Sequence, residues 1–296
     1  MPNIDLHMHS CFSDDGEYTV PELLQRCKNV SLSYAAIADH NSVRAVPELL
    51  ALAPAFGVHA VSGVELDCVH EGRNFHLLGY HFDHTQPVFA EIEQNIIDQE
   101  ARAAARKIAL IREETGIPLQ DADVFAAANG GVVTGELIAE LLLSRADAAS
   151  HAVLAPYLPG GGRSDNPYVN FYWDYFSQGK PAYVPIQYIT LAEGVSLLHA
   201  AGGIAVLAHP GQNLKGDNDF LKKIIPTGID GIEAYSSYHS AEEAAFFAAA
   251  ARENNLLVTC GSDFHGKIKP AISLCGHGAG EEMPAILAAL QAAGIF

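Results

Sequence analysis

Two imidazoles and a carboxyl group open the chain, with His7, His9 and Asp14 following the short apolar run Ile4, Asp5 and Leu6. In a strand, residues two apart point to the same side, so His7 and His9 can aim their rings at one point. The loop that follows would carry Asp14 back toward them. Imidazole nitrogen with carboxylate oxygen suits zinc, manganese or iron. One His-x-His is weak evidence alone, since two unrelated histidines at a strand end account for it equally well. Repetition gives it weight. The apolar stretch 34–38 ends in Asp39-His40, 58–64 delivers Glu65, and 74–80 carries His76. Later, 204–208 ends in His209-Pro210, and 256–261 runs into Ser262-Asp263-Phe264-His265. Each has a bland alternative: a core histidine at 76, a turn residue at 209, a helix cap at 263. The coincidence of all of them is what those alternatives explain poorly.

Those residues need a scaffold that brings strand ends together. Helices are predicted over 18–29, with Thr19 as N-cap, Pro21 in the first turn and an apolar stripe of Leu23, Leu24 and Cys27. Another is predicted over 47–56, stopped by Gly57, and others over 191–201, 219–225, 241–254 and from Met283 onward. Short strands alternating with helices indicate a parallel sheet or an α/β barrel. The rhythm breaks between residues 86 and 182. A long helical pattern covers 87–115, with further helices over 121–128 and 135–149, a turn-rich stretch at 158–167 and an aromatic run from Phe171 to Phe176. The expected organisation is one barrel unit, 1–85 and 183–296, carrying a mostly helical insertion, 86–182, packed over one end. The aromatic residues either line a substrate pocket or staple the insertion to the barrel.

Bulk properties narrow the function. The chain has 296 residues, 49% of them hydrophobic, enough for one large domain or a domain with an insertion. A formal net charge of -18 argues against an extended nucleic-acid track, which needs clustered Lys and Arg. No apolar run approaches a membrane span, and no basic-then-apolar leader is visible at the N-terminus. Cys11, Cys27, Cys68, Cys260 and Cys275 are odd in number and lack CxxC spacing, which predicts reduced thiols and a cytoplasmic location.

In parallel α/β barrels, sites form where the C-terminal ends of the strands converge. Burying this many titratable groups at one mouth is costly unless cations hold carboxylates ionised and imidazoles neutral. The ordered pattern of H-x-H-S, DH, GVE, H, AHP and GSDFH resembles the polymerase-and-histidinol-phosphatase (PHP) family of metal-dependent phosphoesterases. The resemblance covers 1–84 and about 190–280 and implies a distorted (β/α)7 barrel of PHP type. It also implies three divalent ions, manganese, iron or zinc. His7, His9, Glu65 and Asp263 would hold the first. Glu65 would bridge to a second held by His76 and His209, and Asp14, His40 and His265 would hold the third.

The implied reaction is attack of a metal-activated hydroxide on phosphorus, with Asp14, His40, Asp263 and His239 as the catalytic set. His239 is the candidate for phosphate contact or proton delivery, followed by His277. Lys180, Gln187 and Lys269 are candidates for a distal phosphate, each with a solvated surface role as the alternative. The remaining histidines are read as structural.

The expected partner is a small phosphorylated substrate, not a nucleic-acid polymer or a membrane. Bisphosphate-cleaving members of the family usually carry an Arg-x-His element in the insertion helix. Here the matching stretch is Val133-Thr-Gly-Glu-Leu-Ile-Ala139, without that cation. This tilts the reading toward 5-phosphoribosyl 1,2-cyclic phosphate, cleaved to ribose 5-phosphate and phosphate. The alternative is a nucleoside 3',5'-bisphosphate 3'-phosphatase. Histidinol phosphatase, an amidohydrolase and a non-catalytic PHP module are further alternatives.

Overall fold

The computed structural model describes residues 3–296. Nine strands occur among them: β1 (Ile4–Met8), β2 (Tyr34–Ile37), β3 (His59–Ala60), β4 (Gly63–His70), β5 (Arg73–Tyr80), β6 (Ile189–Thr190), β7 (Ile204–Leu207), β8 (Gly231–Ser236) and β9 (Leu257–Gly261). The first helices are α1 (Val20–Asn29), α2 (Val46–Phe56), α3 (Pro87–Thr115), α4 (Asp121–Ala128), α5 (Gly135–Leu143) and α6 (Pro167–Tyr175). They are followed by α7 (Leu191–Ala200), α8 (Pro210–Leu214), α9 (Leu221–Ile224), α10 (Ala241–Glu253) and α11 (Met283–Ala292). Local sequence explains the starts of several helices. Thr19 with Glu22, Thr190 with Glu193 and Ser240 with Glu243 form capping boxes that satisfy first-turn amides.

The strands form a sheet in the order β1-β2-β3 and another in the order β6-β4-β5-β7-β8-β9. The two join at both seams. Between β9 and β1, Asp263 N donates to His7 O at 2.7 Å and His9 N to Phe264 O at 2.9 Å. Between β2 and β4, Glu65 N donates to Asp39 O at 3.1 Å and Asn41 N to Glu65 O at 2.8 Å. The result is a closed ring of β1, β2, β4, β5, β7, β8 and β9, the distorted seven-stranded barrel. The stretch predicted as one strand over 58–64 is instead the short β3 followed by β4, which runs on past Glu65. β4 and β5 form an antiparallel hairpin through Glu71-Gly72, and β5 is also antiparallel to β7.

The packing forms separate apolar clusters. One lies between the barrel and helices α7, α10 and α11; a second lies beneath α1 and α2. The third runs from Ala104 to Ala182 and includes Ile108, Ile138, Leu154 and Phe171. α3 serves two of them: Phe89 at its start is buried in the barrel cluster, while Ile108 and Ile111 belong to the third. Burying a side chain such as Phe89 is worth about 1.5–3 kcal/mol, so α3 ties the helical roof to the barrel at both ends.

Candidate metal centre at the barrel mouth

Strand β1 alternates Ile4, Leu6 and Met8 on one face with Asp5, His7 and His9 on the other. Asp5 is buried and acts as a strut. Its Oδ1 accepts from Ser262 N at 2.8 Å and its Oδ2 from Cys275 N at 2.8 Å, which holds the start of β1 against the loop after β9. Gly261 permits that approach, because a Cβ there would lie 2.2 Å from His7 Cβ and 2.6 Å from Glu233 Oε1. The loop then places Asp263 beside the two histidines.

Glu65 sits at the centre of the site. Its Oε2 lies 3.0 Å from His7 Nε2 and 3.3 Å from His9 Nε2. Its Oε1 lies 2.8 Å from His76 Nδ1 and 3.0 Å from His209 Nε2. One carboxylate thus presents an oxygen to each of two histidine pairs. Asp263 Oδ1 completes the first set, 3.0 Å from His9 Nε2 and 3.3 Å from His7 Nε2. Ligand atoms of His7, His9, Glu65 and Asp263 lie within 4.8 Å of one another, as do those of Glu65, His76 and His209.

A third group consists of His9, Asp15, His40 and His265. Here the geometry corrects the sequence reading: Asp15, not Asp14, joins it, with Oδ2 3.1 Å from His265 Nε2. The loop after β1 is the reason. Ser13 N donates to Ser10 O, Ser13 Oγ donates to Asp15 Oδ1 at 2.9 Å, and Gly16 packs so tightly on Ser10 that a Cβ would meet its carbonyl oxygen at 1.9 Å. That tight turn brings Asp15 inward and leaves Asp14 exposed at the cavity wall. Adjacent aspartates made the choice ambiguous from sequence. A fourth group, His40, Asp67 and His76, includes an acid that the sequence reading passed over. The spacing Glu65-x-Asp67 on β4 repeats the logic of His7-x-His9 and could have revealed it.

Backbone and surrounding groups hold these side chains in place. His209 and Asp263 take positive φ, 21° and 58°, unusual for non-glycine residues and here fixed by neighbours. Glu233 is fully buried, and its Oε2 accepts from His209 N at 2.8 Å while its Oε1 meets His7 Nδ1 at 3.0 Å. It is a lone acid in the apolar strand Gly-Ile-Glu-Ala-Tyr, the signal by which sequence could have found it. Asp263 Oδ2 accepts from Tyr238 Oη at 2.5 Å and from Lys269 Nζ at 2.6 Å, leaving Oδ1 for the site.

The electrostatics match the geometry. Burial, reinforced by the nearby His265, pushes His9 down to about 4, so its ring is neutral and able to ligate. Burial works against charge on His76, yet Glu65 and Asp67 outweigh it and raise that ring to about 9. Burial likewise opposes ionised Glu65, but His7, His40 and His76 hold its carboxyl well below the usual range. The site demands positive charge at these points, which a proton or a cation supplies. Four of its buried atoms, His9 Nε2, His40 Nδ1, Asp263 Oδ1 and His265 Nε2, have no hydrogen-bond partner among the described residues. Leaving such atoms unsatisfied costs about 1–3 kcal/mol each, and coordination would satisfy all four.

The other sequence candidates fall elsewhere. His239 donates from Nδ1 to Ala234 O at 2.8 Å and accepts at Nε2 from Gly211 N at 3.0 Å, so both ring nitrogens are engaged by backbone. His277 is similar: Nε2 donates to Ile4 O at 2.7 Å and Nδ1 accepts from Ala279 N at 3.2 Å. Neither is free to contact phosphate or deliver a proton. Lys180 is exposed and outside the cavity, whereas Lys269, for which sequence favoured a solvated surface role, lines it.

The cavity over the ligand groups has a volume of about 490 Å³. Its floor is Asp15, His40, Asp67 and His76; its roof includes Glu100 and Lys107 of α3, Glu136 of α5, and Tyr172 and Trp173 of α6. The aromatic run therefore lines the cavity through Tyr172 and Trp173, while Phe171 and Phe176 pack into the roof's own core and not against the barrel.

Carboxylates and imidazoles in this arrangement, at the open end of an α/β barrel, define a metal-dependent hydrolase. Comparison with known proteins gives the family. The PHP domain model matches residues 5–120. A 3',5'-nucleoside bisphosphate phosphatase of Chromobacterium violaceum is 32% identical over 269 residues, 90% of this chain and 88% of that protein. A 5'-3' exoribonuclease of Haemophilus influenzae is 29% identical over 88% of this chain and 89% of its own length. A phosphoribosyl 1,2-cyclic phosphate 1,2-diphosphodiesterase of Eggerthella lenta is 26% identical over 89% and 94%. Among solved structures, a protein of Bifidobacterium adolescentis assigned to the metal-dependent phosphoesterases superposes with a TM-score of 0.73 at 25% identity, covering 97% of this chain and 96% of that one. The chain belongs to the PHP family of metal-dependent phosphoesterases and is a hydrolase. No helix of the described residues is long and apolar enough to cross a membrane.

Proposed function

We propose that the chain hydrolyses the cyclic phosphodiester of a phosphorylated sugar, 5-phosphoribosyl 1,2-cyclic phosphate, to ribose 5-phosphate and phosphate. In this reading the barrel, 1–85 and 183–296, carries up to three divalent ions and residues 86–182 form an inserted unit that shapes the substrate end. His7, His9, Glu65 and Asp263 would hold one ion, Glu65, His76 and His209 a second, and Asp15, His40 and His265 a third. Bound there, such ions lower the pKa of water toward neutrality and neutralise charge on phosphoryl oxygens. The protein's own residues do the rest. Glu65 fixes the spacing of the two histidine pairs, Glu233 orients His7, and Lys269 adds a fixed positive charge beside the cavity. Burial opposes that charge, but Asp263 outweighs it and raises the ammonium well above its usual value.

The observation that carries the substrate preference is the start of α5. Thr134, Gly135 and Glu136 line the cavity, so the start of α5 presents a carboxyl group there and neither an arginine nor a histidine. A second reading, a nucleoside 3',5'-bisphosphate 3'-phosphatase, is favoured by the aromatic wall of Tyr172 and Trp173, which suits a base. Phosphate release from both substrates with manganese present separates them. Turnover of the bisphosphate alone would overturn the preference.

A further inference from the structure

The ligand groups account for the nucleophile's side of the reaction but not for the alcohol that departs. A poor leaving group needs a proton as the P–O bond breaks. His239, the sequence candidate for that task, is engaged at both nitrogens by backbone. Several titratable groups in and beside the cavity are also committed, and Asp14, which lines it, is exposed. Lys269 is bonded to Asp263, and Lys107 to Glu100. Tyr238 donates to Asp263.

Glu136 differs from these. It lies in the first turn of α5, is only 7% exposed, and lines the cavity opposite the ligand groups. Among the described residues, no side chain hydrogen-bonds to its carboxyl group, and no salt bridge reaches it. An acid in a first helical turn ordinarily sits in solvent, where it complements the helix dipole. Here the turn is pressed onto α6: a Cβ on Gly135 would lie 2.6 Å from Phe176 Cδ2 and 2.9 Å from Tyr172 Cδ2. The dipole therefore gives no reason for burying the carboxyl group.

We propose that Glu136 is a catalytic residue, the general acid that protonates the leaving-group oxygen from the roof of the cavity. This rests on the phosphoesterase reading, not on the choice of sugar or nucleotide. A hydroxide oxygen adds to phosphorus while the bond from phosphorus to the alcohol oxygen breaks. The bonding electron pair stays on the alcohol oxygen, and the proton of the Glu136 carboxyl group moves there. The product is a neutral alcohol and a Glu136 carboxylate, which regains its proton from water.

The surroundings of Glu136 suit that role. Asp14 and Asp15 face it from the loop after β1, Glu100 and Lys107 from α3, Tyr172 from α6 and Lys269 from the loop after β9. Burial, reinforced by Asp15, raises its carboxyl group to about 7, with its own amide, Lys269 and Lys107 acting in the opposite direction. An acid matched to neutral pH transfers its proton most effectively.

The test compares Glu136→Gln with the wild type on two esters, an alkyl phosphate and 4-nitrophenyl phosphate, whose phenolate leaves without a proton. The variant is expected to lose about 10²-fold or more in kcat on the alkyl ester, in line with general-acid catalysis, and to stay within about threefold on the aryl ester. Glu136→Asp should recover part of the alkyl activity. An equal loss on both esters, or no loss on either, would overturn the role of Glu136 while leaving the phosphoesterase reading intact. A wild-type enzyme that cleaves neither ester, and releases no phosphate from the cyclic sugar phosphate or the nucleoside bisphosphate, would overturn both. Circular dichroism and manganese content of the variant, each expected to match the wild type, guard against misfolding.

Discussion

The barrel mouth and the helical roof face each other across one cavity and are built on opposite principles. At the mouth, polar side chains are held by strand geometry. Seven strands converge, so that residues from position 7 to position 265 form four groups, within each of which ring nitrogens and carboxylate oxygens lie within 4.8 Å of one another. The roof holds its residues through an apolar core of its own and presents to the cavity polar groups that include Glu100, Lys107, Thr134, Glu136, Ser177 and Gln178. The mouth therefore tolerates little change, because each ligand is shared or braced by another. The roof can vary its cavity-facing residues without unpacking its core. Within a family that shares the mouth, differences in substrate are expected to reside in the roof.

Substitutions can break that contrast. Glu65→Ala has the largest expected effect. It removes the carboxylate shared by two histidine pairs and should lower turnover by more than the about 10–100-fold typical of an outer-shell partner. Manganese content by elemental analysis should fall with it, while circular dichroism stays that of the folded chain. Retained activity would refute the proposed centre. Glu233→Gln comes next: an amide has one acceptor oxygen for the two donors, His7 Nδ1 and His209 N, so His7 is held less firmly and metal affinity should weaken by about 10–100-fold, read by competition with a chelating dye.

His239→Gln should act on stability and leave kcat per folded molecule unchanged, because its ring serves backbone atoms. Loss of a buried hydrogen-bonded group predicts about 1–3 kcal/mol in chemical denaturation. A large fall in kcat at unchanged stability would return His239 to the chemistry.

Smaller still is a pH effect in the roof. Glu136 keeps its proton up to about pH 7 in the folded chain, whereas an unfolded carboxyl group titrates near 4.5. Between those values the native state binds the extra proton, so stability falls as pH rises through the window, by at most about 1.4 kcal/mol per unit. Metal-free Glu136→Gln should lack this decline. A decline equal to the wild type's would place the titration elsewhere. Finally, Lys180→Ala should change neither stability nor KM, staying within about 0.5 kcal/mol, as suits an exposed side chain outside the cavity.

Sequence and structure divide the account in a physically intelligible way. The helices with capping boxes and the apolar strands were legible because capping and side-chain periodicity are local. The histidines and acids at strand ends were legible for the same reason, and eight of the nine expected ligands, all but Asp14, stand in the clustered groups. Asp15 could not be chosen over Asp14 from local pattern, since both follow the same loop and only the packing of Gly16 on Ser10 decides which one turns inward. Asp67 and Glu233 were passed over because their importance depends on strands that neighbour them only in the closed barrel. His239 and His277 were misassigned because a histidine's availability depends on what its second nitrogen meets. Their partners, Gly211 and Ile4, lie 28 and 273 residues away in the chain.

By itself, then, the sequence determined the barrel elements, the ligand types and the class of chemistry, all of which depend on short-range pattern and residue identity. Only the tertiary structure decided which oxygen of Glu65 faces which histidine pair, which aspartate enters the third group, and that a carboxyl group without a hydrogen-bonding side chain reaches the cavity from α5. Those are matters of distance between chain segments remote in sequence, set by how strands close and helices pack, and no local pattern encodes them.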